Sequence, residues 1–543
     1  MTLFKLWRTK DVKTIRWIVF LTLISGAANA GLVALINFGA AAVYSSEDAT
    51  WAFASFIICL VLFLYTKMHA EIGGKKVFDD AMTDQRLRIV DKLLKVEVSA
   101  VEKMRESDVI TRSSRNIGQI VQASDIIVYG LQSMFMLLFC FIYLLTISPA
   151  AFASVLFGIM TVAVFRHIRN EDNRNNHYNQ IQRESQISEM VSEIFLGFKE
   201  VKLNERRRAS IHSAYNHLVS ETSALNELPT RRFIQARAII QSVFYVIIAV
   251  IVFVIPRFSN VYAFDVLEIT AVVLFIIGYL AGFLDIIPVV SRTNAALDSL
   301  ASLENELDAA AEPDTVTDTE IVEPVDFQSL EAVGLTYAYA EPDGTRGFEI
   351  GPIDLTLNKG EAYFIIGGNG SGKSTLVKLL AGLYPATGGS IRLNGKLLTL
   401  DDTPRLRRTY ALIMSDFHLF ERLFGYDDAD PQTVAQLIKK MQLDGKITFA
   451  NGAFSTRTLS SGQRKRLALI VALIEDRQLY IFDEWAADQD PEFRRYFYEE
   501  LLKELRQSGK TVIAVTHDDN YLHCADKVLR LDYGREVQAV DAG

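Results

Sequence analysis

The chain has 543 residues, half of them hydrophobic, and a formal net charge of −9 at pH 7. The length predicts at least two domains, and an acidic chain with only short basic clusters disfavours a nucleic-acid-binding protein. Cys59, Cys140 and Cys524 are too widely spaced for a metal-ligand motif or a disulfide framework, so we expect small buried side chains there.

Six apolar segments in the first 300 residues predict membrane-spanning helices. They cover about residues 15–43, 51–66, 126–147, 150–165, 238–254 and 266–290. Each approaches the ~20 apolar residues that cross a bilayer, although the second and fourth are short. A signal peptide is the alternative for the first segment, because residues 28–30 (Ala-Asn-Ala) resemble a cleavage site. The apolar sequence continues well beyond that site, which favours an uncleaved first span.

The placement of lysine and arginine predicts the orientation of these spans. The N-terminus and the segments after the second and fourth spans are rich in basic residues, whereas the loops after the first, third and fifth contain almost none. Because basic segments remain in the cytoplasm, we expect a multi-pass membrane protein whose C-terminal part is cytoplasmic.

The two long cytoplasmic segments, residues 75–125 and 166–234, show helical periodicity and contain little Pro or Gly. We interpret each as two helices that extend the spans below the membrane and are joined by a short crossing segment. An arm of about 20 residues would reach ~30 Å, far enough to contact a separate domain. The alternative is a pair of basic helices that lie on lipid headgroups.

The acidic stretch Glu304–Glu323 lacks apolar periodicity and predicts a linker. We therefore expect a six-helix transmembrane domain at residues 1–303, a linker at residues 304–326 and a second domain at residues 327–543.

Residues 367–375 have the sequence GGNGSGKST, after a predicted buried strand (363–366) and before a predicted helix start (376–380). Strand, glycine-rich turn and helix N-terminus form the phosphate cradle of P-loop nucleotidases. Lys373 would place a positive charge near the β- and γ-phosphates, and the Ser374 hydroxyl would ligate Mg²⁺. The predicted nucleotide-binding residues are Gly367, Asn369, Gly370, Ser371, Gly372, Lys373, Ser374 and Thr375. The sequence thus predicts a protein that binds ATP or GTP.

Two later apolar segments end in polar side chains. Residues 479–483 predict a strand beside that of the P-loop, and Asp483 at its end would hold Mg²⁺ through water. Glu484 would orient or deprotonate the attacking water. Residues 512–516 predict a further strand, followed by His517, which could hydrogen-bond the γ-phosphate; a structural role is the alternative for this histidine. The predicted catalytic residues are Lys373, Asp483, Glu484 and His517.

Leu459–Gln463 (LSSGQ) precede a basic amphipathic helix and form a second phosphate-binding turn at a helix N-terminus. One chain needs only one such device for one nucleotide. We therefore expect Ser460, Ser461, Gly462 and Gln463 to close over the nucleotide held by a partner chain.

These motifs resemble those of ABC exporters of the half-transporter type, and the resemblance covers essentially the whole chain. Gly367–Ser374 matches the Walker A motif, Leu479–Asp483 the Walker B motif, and Leu459–Gln463 the signature LSGGQ, with Ser461 in place of the first glycine. The resemblance implies a multi-domain membrane protein, an all-α six-helix transmembrane domain followed by an α/β P-loop ATPase domain, which acts as a homodimer with ATP and Mg²⁺. It also implies a catalytic glutamate at Glu484, a switch histidine at His517, an adenine-stacking ring at Tyr339, a D-loop aspartate at Asp490, and coupling helices near Ser99–Lys103 and Lys199–Arg206.

One departure from the family concerns the Q-loop glutamine, a Mg²⁺ ligand that Ser415 replaces here. The shorter serine would need a bridging water or help from Asp416 to reach the metal, so coupling should differ in detail. Hydrolysis should persist, because Lys373, Asp483 and Glu484 are present.

Residues 483–491 (DEWAADQDP) and 415–420 (SDFHLF) resemble one subgroup, the bacterial exporters of cyclic peptides or peptide siderophores, such as pyoverdine precursors, lipopeptide toxins or microcins. The resemblance implies ATP-driven export of a peptide-type cargo across the bacterial inner membrane, and it leaves room for a periplasmic acceptor. The alternatives are a lipid or lipid-linked flippase and a non-transporting ATP-gated membrane regulator. No peptidase domain is expected before Ile15, so we expect no leader cleavage by this chain.

Polar residues within the spans are costly unless they face a cavity or one another. The candidates for a cargo cavity are Asn29, Asn37, Gln132, Gln241 and Asp285. Interhelical hydrogen bonds are the alternative for the amides. For Asp285 the alternative is an ion pair with a basic residue such as Arg237.

Overall fold

A computed structural model of the chain describes residues 12–46, 48–168, 173–258, 263–312, 326–340, 346–455 and 459–537. The chain divides into two compact units. The first comprises Met1–Val96 and Glu102–Ala311, and the second comprises Glu97–Val101 and Glu312–Gly543.

Helices account for nearly all of the first unit in the described residues. The helices in this part of the chain are α1 (Val12–Ser45), α2 (Thr50–Leu93), α3 (Val98–Val101), α4 (Glu106–Ile110), α5 (Asn116–Ile147), α6 (Pro149–Ile168), α7 (Asn173–Leu196), α8 (Phe198–Leu203), α9 (Glu205–Phe253), α10 (Ile255–Phe258) and α11 (Ala263–Ala309). A π-helical turn, Thr111–Arg115, joins α4 to α5.

A helix is present at each of the six predicted spans. Within the described residues, α1, α2, the segment Glu106–Ile147, α9 and α11 each contain an apolar stretch long enough to cross a membrane. At the fourth position, Pro149–Thr161 is a shorter apolar helix. Helices suit this environment because a helix satisfies its own backbone hydrogen bonds in lipid. The predicted basic N-terminus, residues 1–11, lies outside the described residues.

The spans pack on one another through an apolar core. Leu144, Val155, Phe244 and Val272, from α5, α6, α9 and α11, are fully buried there. Helices α5 and α11 approach closely at Gly282, where a Cβ atom would lie 2.5 Å from the Tyr129 ring. Such small residues let helix backbones pack tightly in membranes. The three cysteines are free thiols, with Cys140 buried and the other two partly buried.

Both segments predicted as cytoplasmic arms consist of two longer helical segments with a short helix between them, which we call the crossing helix. In the first segment, α2 ends at Leu93, the short helix α3 follows, and α4 leads into α5. In the second, α7 and α9 are joined by α8. The crossing helices coincide with the segments that resemble coupling helices.

The start of the predicted linker was placed wrongly. Residues 304–309 are the last turns of α11, because their carboxylates pair with basic side chains of the first arm. The ion pairs are Arg88–Glu304 at 3.8 Å, Lys92–Asp308 at 2.7 Å and Arg112–Glu306 at 2.8 Å. The acidic residues at 304–308 therefore belong to the end of a helix, where they form ion pairs, and not to a flexible segment. Residues 313–325 of the predicted linker lie outside the described residues.

The second unit contains the α/β part of the chain. Its strands are β1 (Ser329–Ala340), β2 (Arg346–Asn358), β3 (Ala362–Gly367), β4 (Gly388–Leu393), β5 (Lys396–Leu397), β6 (Tyr410–Ile413), β7 (Phe449–Ala450), β8 (Ala453–Phe454), β9 (Leu479–Asp483), β10 (Thr511–Val515), β11 (Lys527–Asp532) and β12 (Arg535–Val537). Its further helices are α12 (Lys373–Leu380), α13 (Thr403–Arg407), α14 (Pro431–Lys440), α15 (Ser461–Glu475), α16 (Pro491–Arg495) and α17 (Leu502–Gln507).

Two larger sheets organise this unit. One has the order β12-β11-β3-β10-β9-β6 and is parallel except for β12, and the other is the antiparallel sheet β2-β1-β4-β5. Strands β9 and β10 are buried along their whole length, as expected for parallel strands covered on both faces. Alternate side chains enter two different cores: Phe364 and Phe482 lie in one, and Ile365 and Ile481 in the other.

The short helix α3 belongs to this second unit, although α2 and α4 do not. Val98 packs against the core between the two sheets, and Glu97 lines a groove of about 240 Å³ with Tyr384 and Arg407. Arg407 also forms a two-bonded ion pair with Glu312, both bonds at 2.8 Å. The first of the two predicted coupling segments is thus packed within the α/β unit.

Candidate functional site

The parallel sheet brings the predicted nucleotide residues to one edge. The carboxyl ends of β3, β10, β9 and β6 all lie at this edge because these strands run in the same direction. The glycine-rich turn follows β3, His517 follows β10, and Asp483 ends β9. We expected β9 directly beside β3, but β10 lies between them. The observed strand order therefore differs from the expected one, but the predicted nucleotide residues still lie at the same edge of the sheet.

The glycine-rich turn leaves no room for a side chain where it begins. At Gly367, φ is +150° and a Cβ atom would lie 2.2 Å from the backbone oxygen of Leu531. Gly370 and Gly372 also have positive φ values, and α12 then starts at Lys373. The Ser371 hydroxyl is buried without a hydrogen-bond partner in the described part of the chain. Such a turn at a helix N-terminus fits a phosphate group.

The Lys373 side chain is only 5% exposed and lies at the centre of the turn. Its Nζ donates to the backbone oxygens of Gly367 at 3.1 Å and Gly368 at 3.0 Å, and it lies 3.8 Å from Glu484 Oε1. Burial lowers the pKa of Lys373, and the carboxylates of Glu484 and Asp483 oppose that change. The ammonium group is therefore held in place beside the turn by oxygen atoms.

Asp483 carries a buried carboxylate beside the same turn. Ser374 and Ser415 lie next to it, yet neither carboxylate oxygen has a partner in good hydrogen-bond geometry among the described residues. Burial raises the pKa of Asp483, and the two serines oppose that rise. A carboxylate with free oxygens next to a serine hydroxyl fits Mg²⁺, which proteins bind through one or two such groups together with substrate phosphates. Among the described residues, no three His, Cys, Asp or Glu side chains converge as a separate metal site.

Glu484 and His517 form a hydrogen-bonded pair. His517 Nε2 lies 2.8 Å from Glu484 Oε1, and both side chains are partly exposed. Glu484 adopts a left-handed backbone conformation with φ +50°. A left-handed conformation is uncommon for a residue with a side chain, and active sites are among the places where it is retained. The pair thus has the position and the chemistry for proton transfer near a bound phosphate.

The predicted second phosphate-binding turn is the start of α15. Ser460 is its N-cap, and a capping box joins the Ser460 and Gln463 side chains to each other's backbone N–H groups. Ser460 and Ser461 are exposed. The helix N-terminus is consequently formed and accessible, as expected for a surface that closes over another nucleotide.

Two residues that our sequence analysis missed connect α15 to the loop after β9. Lys465 and Arg466 belong to the segment that we predicted as a basic amphipathic helix, and both are buried. Arg466 contacts Gln489 at 2.8 Å, pairs with Asp490, and stacks on the Phe493 ring. No pattern in the sequence signals these contacts, because they join segments about 20 residues apart that only the fold brings together.

Two further predicted residues make hydrogen bonds within the α/β unit. The Tyr339 hydroxyl is 3.0 Å from Thr375 Oγ1, so its ring is next to the glycine-rich turn. Asp490 caps α16 by accepting a 2.9 Å hydrogen bond from the backbone N–H of Phe493. That hydrogen bond lowers the pKa of Asp490 and keeps it ionised.

The polar residues of the spans are mostly paired. Asn29 of α1 bonds the Tyr279 hydroxyl of α11, and Gln132 of α5 bonds Ser25 of α1 at 2.9 Å, so both join helices as our alternative proposed. Gln241 bonds Tyr245 one turn further along α9, at 3.2 Å.

Asp285 lies 3.5 Å from Arg237, which confirms the partner expected from the sequence. Asn37 is buried, and its Nδ2 atom has no partner among the described residues. Glu268, which the sequence analysis did not single out, accepts a hydrogen bond from the Tyr143 hydroxyl. A carboxylate within a predicted span was the signal that could have identified it.

Comparison with known proteins agrees with this geometry. Residues 350–487 match the ABC transporter family. The chain is similar to the ATP-binding protein SyrD of Pseudomonas syringae pv. syringae, with 31% identity over 96% of this chain and 94% of SyrD. It is also similar to a probable ABC transporter ATP-binding/permease protein of Haemophilus influenzae, with 26% identity over 54% of each chain.

A solved structure is similar to the whole chain. It is that of a bacterial Atm1-family ABC exporter with ATP bound, with a TM-score of 0.73 and 16% identity over 98% of this chain and 95% of that chain. At this level of identity the likeness concerns the fold.

Proposed function

The chain belongs to the ABC transporter family, and from that premise we propose that a homodimer of it exports a peptide-type cargo across the bacterial inner membrane. It is a multi-pass inner-membrane protein with a cytoplasmic ATPase domain. We assign the first compact unit, which ends at Ala311, to the transmembrane domain and residues 327–543 to the ATPase domain. The observation that carries the proposal is the arrangement of Lys373, Asp483 and Glu484 at one sheet edge in a chain whose other half is an apolar helical unit.

The hydrolytic step follows from the residues at that edge. The turn at residues 367–375 binds the phosphates of ATP through backbone N–H groups and Lys373. Glu484 accepts the proton of the attacking water, and His517 holds the carboxylate and hydrogen-bonds the γ-phosphate. The ring of Tyr339 supports the adenine.

The site contains oxygen-bearing side chains that suit Mg²⁺. Ser374 and Asp483 are the groups that would hold Mg²⁺, with Ser415 as the nearest further oxygen in place of the family's glutamine. When bound, Mg²⁺ would offset the negative charge that develops on the phosphate during hydrolysis.

A second copy of the chain completes the proposed nucleotide-binding site. The exposed turn Ser460–Gln463 closes over the nucleotide of that copy, and each ATP is shared by two chains. A further observation supports the dimer: Phe195, Leu196 and Leu203, beside or within the second crossing helix, are each more than 80% exposed in a single chain. We propose that the second copy covers these side chains, since large apolar patches usually mark interaction surfaces.

The cargo is tested by the rate of ATP hydrolysis in lipid discs. The peptide class rests on the resemblance carried by residues 483–491 and 415–420. We expect cyclic peptides and peptide-siderophore precursors to raise the rate above its basal value, because cargo in the cavity favours closure of the ATPase domains. Phospholipid serves as the comparison: stimulation by lipid alone would replace this proposal with a lipid flippase.

Asp285 tests whether the predicted residues line the cargo cavity. We expect Asp285→Asn to reduce cargo-stimulated ATPase activity and export while it preserves the basal rate, because a carboxylate facing a cavity binds polar cargo. Arg237→Gln is the matched control, since it breaks the same ion pair and keeps the carboxylate. Unchanged stimulation and export in Asp285→Asn would remove this residue from the cavity, and equal losses in both variants would assign it a structural role.

A further inference from the structure

Lys465 is a buried charged residue that the proposed mechanism does not use. Its side chain is 7% exposed and comes from the second turn of α15. Its Nζ donates a 2.7 Å hydrogen bond to the backbone oxygen of Glu484 and lies 2.8 Å from Asp488 Oδ2. The indole N–H of Trp485 donates to the Lys465 backbone oxygen at 2.8 Å, so the contact is made in both directions.

The Glu484 backbone needs such support. Its left-handed conformation, φ +50° and ψ +34°, is disfavoured for a residue with a Cβ atom and persists only where neighbouring groups enforce it. Three hydrogen bonds hold the residue. Its N–H donates to Val515 of β10 at 3.1 Å, and its carbonyl accepts from Lys465 at 2.7 Å and, over a longer 3.3 Å, from the Ala487 backbone N–H.

This conformation determines where the carboxylate points. With the backbone fixed, Glu484 Oε1 is 2.8 Å from His517 and 3.8 Å from Lys373. If the bond from Lys465 were lost, only the longer bond from Ala487 would hold the carbonyl. The residue could then relax toward the right-handed region, and the side chain would turn away from both partners. Such a displacement of a catalytic group slows the reaction strongly: a shift of about 1 Å can lower the rate roughly 100-fold.

We propose that Lys465 is a positioning residue for ATP hydrolysis: it holds the Glu484 backbone in the left-handed conformation that aims the carboxylate at the reacting water. The inference rests on the proposed catalytic role of Glu484. Lys465 itself contacts neither that carboxylate nor the phosphate turn in the hydrogen bonds and ion pairs of the described residues.

The test compares Lys465 with Lys510, a lysine outside α15 that contacts the residue at the other end of that helix. Lys510 is the control, because it makes the same kind of contact with Asp476, the left-handed C-cap of α15, at 2.7 Å to the carboxylate and 3.3 Å to the backbone oxygen. For Lys465→Met we expect kcat for ATP hydrolysis to fall roughly 10- to 100-fold with KM for ATP nearly unchanged. For Lys510→Met we expect both constants to stay near those of the unmodified protein. A fall in Lys510→Met equal to that in Lys465→Met would overturn the proposal.

A double-mutant cycle separates positioning from general loosening of the fold. If Lys465 acts through Glu484, Lys465→Met adds no further loss in a Glu484→Gln background, because residues that act as one unit are not additive. The proposal would be contradicted if kcat of the double variant fell by the product of the two single losses. It would also be contradicted if kcat of the Lys465→Met single variant were unchanged. If Glu484→Gln alone keeps the full rate, the proposed role of Glu484 is wrong, and this inference is overturned with it. If Lys465→Met does not yield folded protein, Lys465→Gln, which keeps an N–H donor and loses the charge, enters the cycle instead.

Discussion

Replacing Glu484 with glutamine is expected to slow ATP hydrolysis by about 10²- to 10⁴-fold, the range that a lost general base commonly costs. Glutamine has nearly the same shape and can still contact His517, but it cannot accept the proton of the attacking water. The residues that bind the phosphates, above all Lys373, are untouched, so ATP should still bind. We therefore expect an assembly that retains ATP and no longer exports cargo.

The measurement is the ATPase rate of the purified protein in lipid discs, together with the amount of ATP retained after rapid gel filtration. Glu492→Gln is the matched control, because Glu492 is exposed on α16, a few residues further along the chain. A Glu484→Gln protein that hydrolyses ATP at the unmodified rate would contradict the assignment, and one that still moves cargo against a gradient would contradict coupled transport. A protein that locks in one state and still signals would indicate the ATP-gated regulator.

Replacing Gly367 with alanine is expected to disrupt the α/β unit and abolish nucleotide binding. The added Cβ atom would lie 2.2 Å from the Leu531 backbone oxygen, and φ at this position is +150°, which residues with side chains rarely adopt. Strands β3 and β11 would have to separate where the glycine-rich turn begins. A clash with backbone at a strained position belongs to the class of substitutions that cost about 3 kcal/mol or more.

The neighbouring glycine offers a control for this substitution. At Gly368 an added Cβ atom would meet nothing within 4 Å, so Gly368→Ala should leave the thermal unfolding temperature close to that of the unmodified protein. We would follow unfolding of the detergent-solubilised protein by gel filtration after heating, and ATP binding by a fluorescent nucleotide. A Gly367→Ala protein as stable as Gly368→Ala would show that β3 and β11 adjust more easily than their contact suggests.

Local motifs made the nucleotide site predictable from the sequence. A strand, a glycine-rich turn and a helix start are contiguous in residues 363–380, so their geometry follows from short-range rules. The whole-chain likeness to an ABC exporter agrees with the expected fold class, a helical membrane domain followed by an α/β ATPase domain. Lys373, Asp483, Glu484 and His517 then come together because parallel strands end at one edge.

Contacts between distant segments were not predictable in the same way. The order of strands is a property of the sheet, and nothing in residues 479–515 indicated that β10 would lie between β3 and β9. The burial of Lys465 and Arg466 could not be predicted, because their carbonyl and carboxylate partners are absent from the local sequence. Burial of a charge depends on partners that only the fold supplies.

Charge patterns were informative only together with their partners. The carboxylates at 304–308 indicated a flexible linker when considered alone, whereas the basic residues of the first arm turn them into the end of a helix. Asp285 was a better case, because Arg237 could be named in advance as a residue near the same end of a neighbouring span. A charged residue in a predicted span requires a partner of opposite charge, and few such residues lie near the spans. The partner can therefore be identified from the sequence.

The apolar side chains of Phe195, Leu196 and Leu203 have a consequence for the life of a newly made chain. These groups are exposed in a single chain. Under the proposed homodimer, a copy that has not yet paired would leave them in contact with water. Water-exposed apolar clusters promote non-specific association, so an unassembled subunit would be a target for aggregation or proteolysis. Pairing soon after membrane insertion would protect the chain. Because pairing needs two copies, the amount of functional protein would then depend steeply on how much of the chain the cell makes.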